Sequence, residues 1–258
     1  MSTPTALTIA GSDPSGGAGL QADLKTFHQF GVYGMAAVTL ITVQNTQSVT
    51  RVEPLDAELV RQQVEAVLAD IPPGALKTGA LGNAAIIEVI AALRLHAPLV
   101  VDPVMVSKHG HALLAPDAQH ALRTKLLPVT TLLTPNTQEA AALLGTPVDT
   151  LEQAEAAAIA LTKLGPRAVL VKGGHLTGPE AIDVLCIEGR VLHIKSPRLD
   201  TKHTHGTGCT YSAAITAGLA KGQTIEDSVR AAKAWLTRAL ASPPRVGHGI
   251  GPVNHHSV

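Results

Sequence analysis

Aromatic side chains are scarce in this sequence: two Phe, two Tyr and one Trp among 258 residues. A core without rings must be filled by Ala, Leu, Val and Ile, which suits helices packed on a β-branched sheet. Cysteine is scarce too, with only Cys186 and Cys209. A disulfide framework is therefore not expected at this length. Cys186 lies in the strand-like run Ile182–Ile187 and reads as a small buried hydrophobe. Net charge is absent, since Lys+Arg and Asp+Glu are both 20. Nothing in that balance calls for a nucleic-acid surface or an acidic tail. No apolar run approaches the length of a membrane span. The short apolar stretch Ala6–Ala10 follows no basic segment and is broken by Gly11-Ser12-Asp13, unlike a signal peptide. The expected location is the cytoplasm.

The usual nucleotide cradles are also missing. A short buried strand, Leu7–Ala10, leads into a Gly-rich loop ending at Gly19, then a helical pattern from Leu20 to Phe30. Gly11 and Gly16 match the first two glycines of a P-loop, but Gly17 and Ala18 stand where Lys and Ser/Thr are required. The dinucleotide fingerprint does not fit either. Asp13 and Asp23 would make this loop an acidic mouth for a neutral ligand with hydroxyl or amino groups. The plainer readings are an Asx turn before Pro14 and a solvent-facing helix residue at 23.

What the sequence does have is unbroken strand–helix alternation. Further strands are read at Met35–Val43, Ala75–Gly79, Leu99–Asp102, Leu132–Asn136 and Ala168–Val171. Helices are read at 57–70, 83–95, 137–144, 150–164, 211–221 and 224–240, with Asn83, Thr150 and Thr224 as caps. A hairpin, Ile182–Ile187 with Val191–Leu199, is the one clear antiparallel element. With no repeat or linker, the pattern predicts one domain over 1–258. Its fold would be α/β: a doubly wound, mostly parallel sheet, helices on both faces, and a small hairpin. The tail from Val246 reads as irregular, and His255 and His256 as solvated.

The polar clusters fall at strand ends, where such sheets bind ligands. They are Gln44 to Gln47, Asp102, Asn136 with Glu139, Lys172-Gly173-Gly174, and the segment Asp200–Thr210. Each has a plainer alternative. Asn136 and Glu139 have capping-box spacing, and Lys172-Gly-Gly can be a turn. Asp102 and Glu139 facing one cleft would suit Mg²⁺ beside phosphates. Gly206-Thr207-Gly208-Cys209 opens an Ala-rich helix, so its amides and dipole suit an anion. The same helix start is expected to favour the Cys209 thiolate.

Four motifs carry a family resemblance: Ala10 to Thr26, Thr134-Pro-Asn136 with Glu139-Ala140, Lys172-Gly-Gly-His175, and Thr204-His-Gly-Thr-Gly-Cys209. Together they resemble the hydroxymethylpyrimidine/phosphomethylpyrimidine kinases of thiamine biosynthesis, in the ribokinase-like superfamily. The resemblance spans Leu7 to Pro252. It implies ATP and Mg²⁺ as cofactors and two successive phosphorylations of 4-amino-5-hydroxymethyl-2-methylpyrimidine. It implies that Gly11, Asp23, Val43 and Gln44 face the pyrimidine. Asp102 and Glu139 would serve the metal, and Lys172, Lys233 and Asn136 would serve ATP. Gly206, Thr207 and Gly208 would form the anion hole, with Cys209 beside the reacting hydroxyl. A homodimer is expected from the hairpin at Ile182–Leu199 together with the resemblance. The nearest rival is a pyridoxal kinase. A Cys–His hydrolase built on Cys209 and His205 would leave Asp102, Glu139 and Lys172 without a role, and a non-catalytic binding protein would release no ADP with any acceptor.

Overall fold

A computed structural model describes residues 3–107, 110–111, 113–115 and 117–257. The chain opens with β1 (Thr5–Ser12), α1 (Gly19–Gln29), β2 (Tyr33–Gln44) and β3 (Val49–Pro54). It continues through α2 (Ala57–Asp70), β4 (Ala75–Thr78), α3 (Ala84–Ala92) and β5 (Leu99–Val101). Next come α4 (Ala118–Ala121), which runs on as π-helical and 3₁₀ turns to Val129, then β6 (Leu132–Leu133) and α5 (Thr137–Leu144). The rest is α6 (Leu151–Thr162), β7 (Ala168–Val171), β8 (Glu180–Ile187), β9 (Arg190–Pro197), α7 (Thr207–Ala220) and α8 (Ile225–Ala241).

The strands form one nine-stranded sheet in the order β3-β2-β1-β4-β5-β6-β7-β8-β9. From β2 to β7 every neighbour is parallel. Antiparallel strands finish both edges: β3 on β2, and β8 with β9 beyond β7. The predicted hairpin is therefore a sheet edge rather than a separate element, and β3 is a second antiparallel partner with no clear sequence signal. Val49–Pro54 holds one buried residue and two charges, so it shows no hydrophobic run. The helical stretch Ala118–Val129 is likewise absent from the sequence pattern. Pro128 and the polar insertion Arg123-Thr124-Lys125 blur its period.

Alternation along the strands separates two cores. Leu7, Ile9, Leu76, Val101, Leu133 and Val169 face one layer, with α2, α3 and α6. Ala75, Val100, Leu132, Ala168 and Leu170 face the other, with α7 and α8; α1 packs beside α7 on this side. Caps set the helix starts as expected. Asn83, Thr150 and Thr224 accept amides through their side chains, and Asn136 and Glu139 form a reciprocal capping box. The chain leaves β1 toward β2 on one side and later returns to β4 on the other. That makes the carboxyl end of β1 the switch point of the sheet.

Candidate active site

A cleft of about 770 Å³ opens along the carboxyl ends of the strands. Its floor is the loop after β1, the ends of β4 to β7, and the start of α7. Gly11, Gln44, Asp102, Asn136, Glu139, Lys172, Lys233 and the segment Gly206–Cys209 all line it. Two expected residues do not. Val43 is 54% exposed and lies outside the lining. Strand alternation is the cause: Leu40, Thr42 and Gln44 point into the cleft, while Ile41 and Val43 point away. Asp23 is wholly buried, neither facing a ligand nor solvent. It lies one layer down, with both carboxylate oxygens 2.7 Å from Lys77 Nζ and one accepting from Thr8 Oγ1 at 2.6 Å.

At the centre, Lys172 Nζ donates to Asp102 Oδ1 at 2.8 Å. A methyl group placed on Gly208 would sit 3.3 Å from Lys172 Nζ and 3.6 Å from Asp102 Oδ2. The ammonium, the carboxylate and the first turn of α7 therefore meet at one point. Gly206 caps α7 with φ 75° and no side chain. A side chain there would run into the Gly17 carbonyl oxygen, so only glycine lets the two loops touch. Glu139 lies behind Asp102, with its Oε2 held by the Asn136 amide at 2.8 Å. Burial raises its carboxyl to about 7; Lys172 pulls the other way and Asp102 adds to the rise. Burial alone would lower the Lys172 ammonium, but Asp102 and Glu139 outweigh it and hold it above its ordinary value. Two carboxylates share one ammonium, which leaves an excess of negative charge.

The Cys209 thiol does not follow the expectation of an activated thiolate. Burial pushes it up to about 11, offset only in part by Lys77, while Asp23 and Asp102 raise it further. The backbone of Gly19 hydrogen-bonds the sulfur and works against the rise. Desolvation and two nearby carboxylates exceed what a helix start supplies. Cys209 is thus a neutral thiol at pH 7.

At the other end, Gln44 Nε2 lies 3.4 Å from His205 Nε2. His205 Nε2 in turn is 2.7 Å from Asp13 Oδ2. Asp13 also accepts from Ser15 and from the Ala18 amide, so the Asx turn is real and is tied to the second loop. Burial would raise Asp13, but His205 and Ser15 outweigh it and hold the carboxyl below its ordinary range. The tail is not loose. The Ile250 and Gly249 amides donate to Thr46, and the His205 amide donates to the Gly251 carbonyl. His255 is buried against Thr210 Oγ1 at 3.0 Å, contrary to its reading as a solvated tail residue. Burial, helped by Lys25, pushes it down to about 4.

Sequence reasoning missed two lining or supporting charges. Asp183 accepts from the Gly173 amide, Tyr211 Oη and Lys233 Nζ at 2.9, 3.0 and 2.7 Å. Lys233 therefore reaches the cleft already paired. Lys77 is the other. Lys77 is the one charge in the apolar strand Ala75–Thr78, and Asp183 interrupts the apolar run Ala181–Ile187, and those interruptions were the available signal.

Residues 13–254 match the family described as phosphomethylpyrimidine kinase. The hydroxymethylpyrimidine/phosphomethylpyrimidine kinase of Streptomyces coelicolor is 48% identical over 99% of this chain and 95% of its own. The fold superposes on Bacillus subtilis pyridoxal kinase in an ADP complex with a TM-score of 0.90, at 38% identity, covering 99% and 98% of the two chains. It superposes on Clostridium difficile phosphomethylpyrimidine kinase with a TM-score of 0.81, at 42% identity, covering 91% and 98%. Matched along nearly its whole length and nearly half identical to a curated relative, this chain belongs to the phosphomethylpyrimidine kinase family.

Proposed function

We propose that this protein is an ATP-dependent kinase of thiamine biosynthesis. It phosphorylates 4-amino-5-hydroxymethyl-2-methylpyrimidine on its hydroxymethyl oxygen and then converts that monophosphate to the diphosphate. The observation that carries the reading is the meeting of Lys172, Asp102 and the start of α7 midway along one cleft. Such a cleft has the volume to take two ligands end to end.

Gln44 and Gly11 would face the pyrimidine. Lys172 would hold the transferred phosphate, with Asn136 and Lys233 further along the ATP side. The Gly206–Gly208 amides would stabilise charge on the moving phosphoryl group, where positioning and electrostatics supply most of the rate. The donor set also fits Mg²⁺: Asp102 and Glu139 are two carboxylates lining one cleft with a single lysine, Lys172, between their charges, and oxygen ligands of this kind suit that ion. When bound, the ion would neutralise phosphate charge. Cys209 would stand beside the acceptor hydroxyl, and only its thiolate, the minority form at pH 7, would take the hydroxyl proton, the thiol's own proton having first passed to solvent. The second transfer, onto an anionic phosphate oxygen, needs no base. A homodimer and a cytoplasmic setting complete the reading; Tyr33 and Ile41, exposed on β2, offer apolar surface for a partner copy.

The second reading is pyridoxal phosphorylation, favoured by the likeness to a pyridoxal kinase. ADP release from Mg·ATP, measured separately with hydroxymethylpyrimidine, its monophosphate, pyridoxal and ribose, decides between them. Turnover with both pyrimidines is expected. Turnover with pyridoxal alone would move the protein to vitamin B6 salvage, and silence with all four would sink the kinase reading.

A further inference from the structure

The loop at 173–179 joins Lys172 to β8, and two of its residues, Gly174 and His175, line the cleft. It holds three glycines, with Gly178 at φ 118°, so it has little stiffness of its own. Two side chains from outside the loop hold it in place. Asp183 on β8 accepts the Gly173 amide at 2.9 Å and pins its start. Arg198, one residue past β9 and itself in the cleft wall, holds the rest. Its Nε donates to the Gly178 carbonyl at 2.7 Å, and its Nη1 to that of Gly174 at 2.8 Å. Its Nη2 donates to the Leu176 and Glu180 carbonyls at 2.5 and 3.1 Å. The four acceptors alternate along the chain, at 174, 176, 178 and 180. The Arg198 amide adds a bond to the Pro179 carbonyl at 3.0 Å. A planar, permanently charged fork with five N–H groups can gather four carbonyls at once; the point-like ammonium of a lysine, with three donors, cannot.

We propose that Arg198 is a positioning residue for the nucleotide. It latches the 173–179 loop to the end of β9, so that Gly174 and His175 form a preset wall beside Lys172 at the ATP end of the cleft. This assignment rests on the kinase reading. Without the latch, the nucleotide itself would have to order a glycine-bearing loop, and that ordering weakens binding. The sheet confines the effect to one ligand. Gln44 ends β2 and the loop follows β7, five strand spacings away, which is roughly 24 Å across the sheet. The pyrimidine end should therefore not feel the latch.

The experiment compares Arg198→Met and Arg198→Lys with wild type. It reads Mg·ADP affinity by calorimetry, KM for ATP and for hydroxymethylpyrimidine, and hydrogen exchange of the Leu176 amide, which bonds the Gly173 carbonyl at 3.1 Å. Loss of one bond from a charged donor corresponds to about a tenfold change. Arg198→Met should therefore weaken ADP binding and raise KM for ATP by about tenfold or more, and speed the exchange by a similar factor. KM for the pyrimidine should stay within about twofold of wild type. Arg198→Lys keeps the charge but reaches fewer carbonyls, so its values should fall between those of Arg198→Met and wild type. It also carries the test should Arg198→Met fail to fold. Faster exchange with unchanged nucleotide affinity would overturn the proposal. So would equal losses toward ATP and the pyrimidine, the mark of a purely structural role. Failure of the kinase reading looks different: the wild type itself would then bind no ADP, which overturns the nucleotide assignment whatever the loop does.

Discussion

Two lysine–aspartate pairs sit in the same sheet, at β4 and just past β7, with nearly the same separation: 2.7 Å for Lys77–Asp23 and 2.8 Å for Lys172–Asp102. Their surroundings differ. The first has no exposed side-chain surface and charges that balance one another. The second opens into the cleft, has Glu139 behind it, and carries surplus negative charge. A sealed, balanced pair can only act on its neighbours, whereas an open, unbalanced one can exchange its partner for a ligand. Cys209 feels both, since Lys77 lowers its thiol while Asp102 raises it.

The comparison is broken most directly at the cysteine. Cys209→Ala should lower kcat for the hydroxyl step by about 10²–10⁴-fold, with a smaller loss for the monophosphate and nearly unchanged ADP affinity by calorimetry. A loss of ADP affinity as large as the loss of rate would remove the proposed base. Next comes the contrast between the lysines. Lys172→Met should cut kcat/KM by about 10²–10³-fold, with a modest fall in Tm, because Glu139 can take up a proton. Lys77→Met should instead cost about 3–5 kcal/mol of stability, the usual penalty for stranding one buried charge. Equal Tm losses would erase the distinction between sealed and open pairs.

Glu139 sharpens the contrast through pH. Its carboxyl rises from 4.5 to about 7 on folding, so the folded state holds the proton more tightly. Its contribution is fully present below about pH 4.5 and is lost as pH rises through 7. Glu139→Gln keeps the capping box and is neutral throughout. It should therefore raise Tm relative to wild type at pH 8, by up to about 3 kcal/mol of stability, and leave it near wild type at pH 4.5. A gain of the same size at both pH values would contradict the raised carboxyl. The smallest effect is expected at Val43. Val43→Thr should leave KM unchanged and stability within about 0.5 kcal/mol; a large KM change would return Val43 to the cleft.

The legible features were those governed by short-range rules. Alternating apolar runs located most strands, Asn83, Thr150 and Thr224 located helix starts, and strand-end polar groups located the cleft. Asn136 and Glu139 show how both readings of one motif can hold: they form the capping box, and they also line the site. Val43 and Asp23 were misplaced because a motif names neighbours in sequence without saying which face each takes. Lys77 and Asp183 went unnoticed because each looks like an interruption of a strand until its partner arrives from elsewhere in the chain, 54 and 50 residues away.

By itself the sequence determined the α/β alternation, the glycine-bearing loops and the kinase-like motifs, because propensity, periodicity and spacing act within a few residues. Only the tertiary structure decided the charge states. The Cys209 thiol is raised by burial and by carboxylates from α1 and the loop after β5, and Glu139 is raised by burial and by Asp102. A proton's affinity for a group depends on solvent exclusion and on charges brought close by folding, and neither is written in the order of residues.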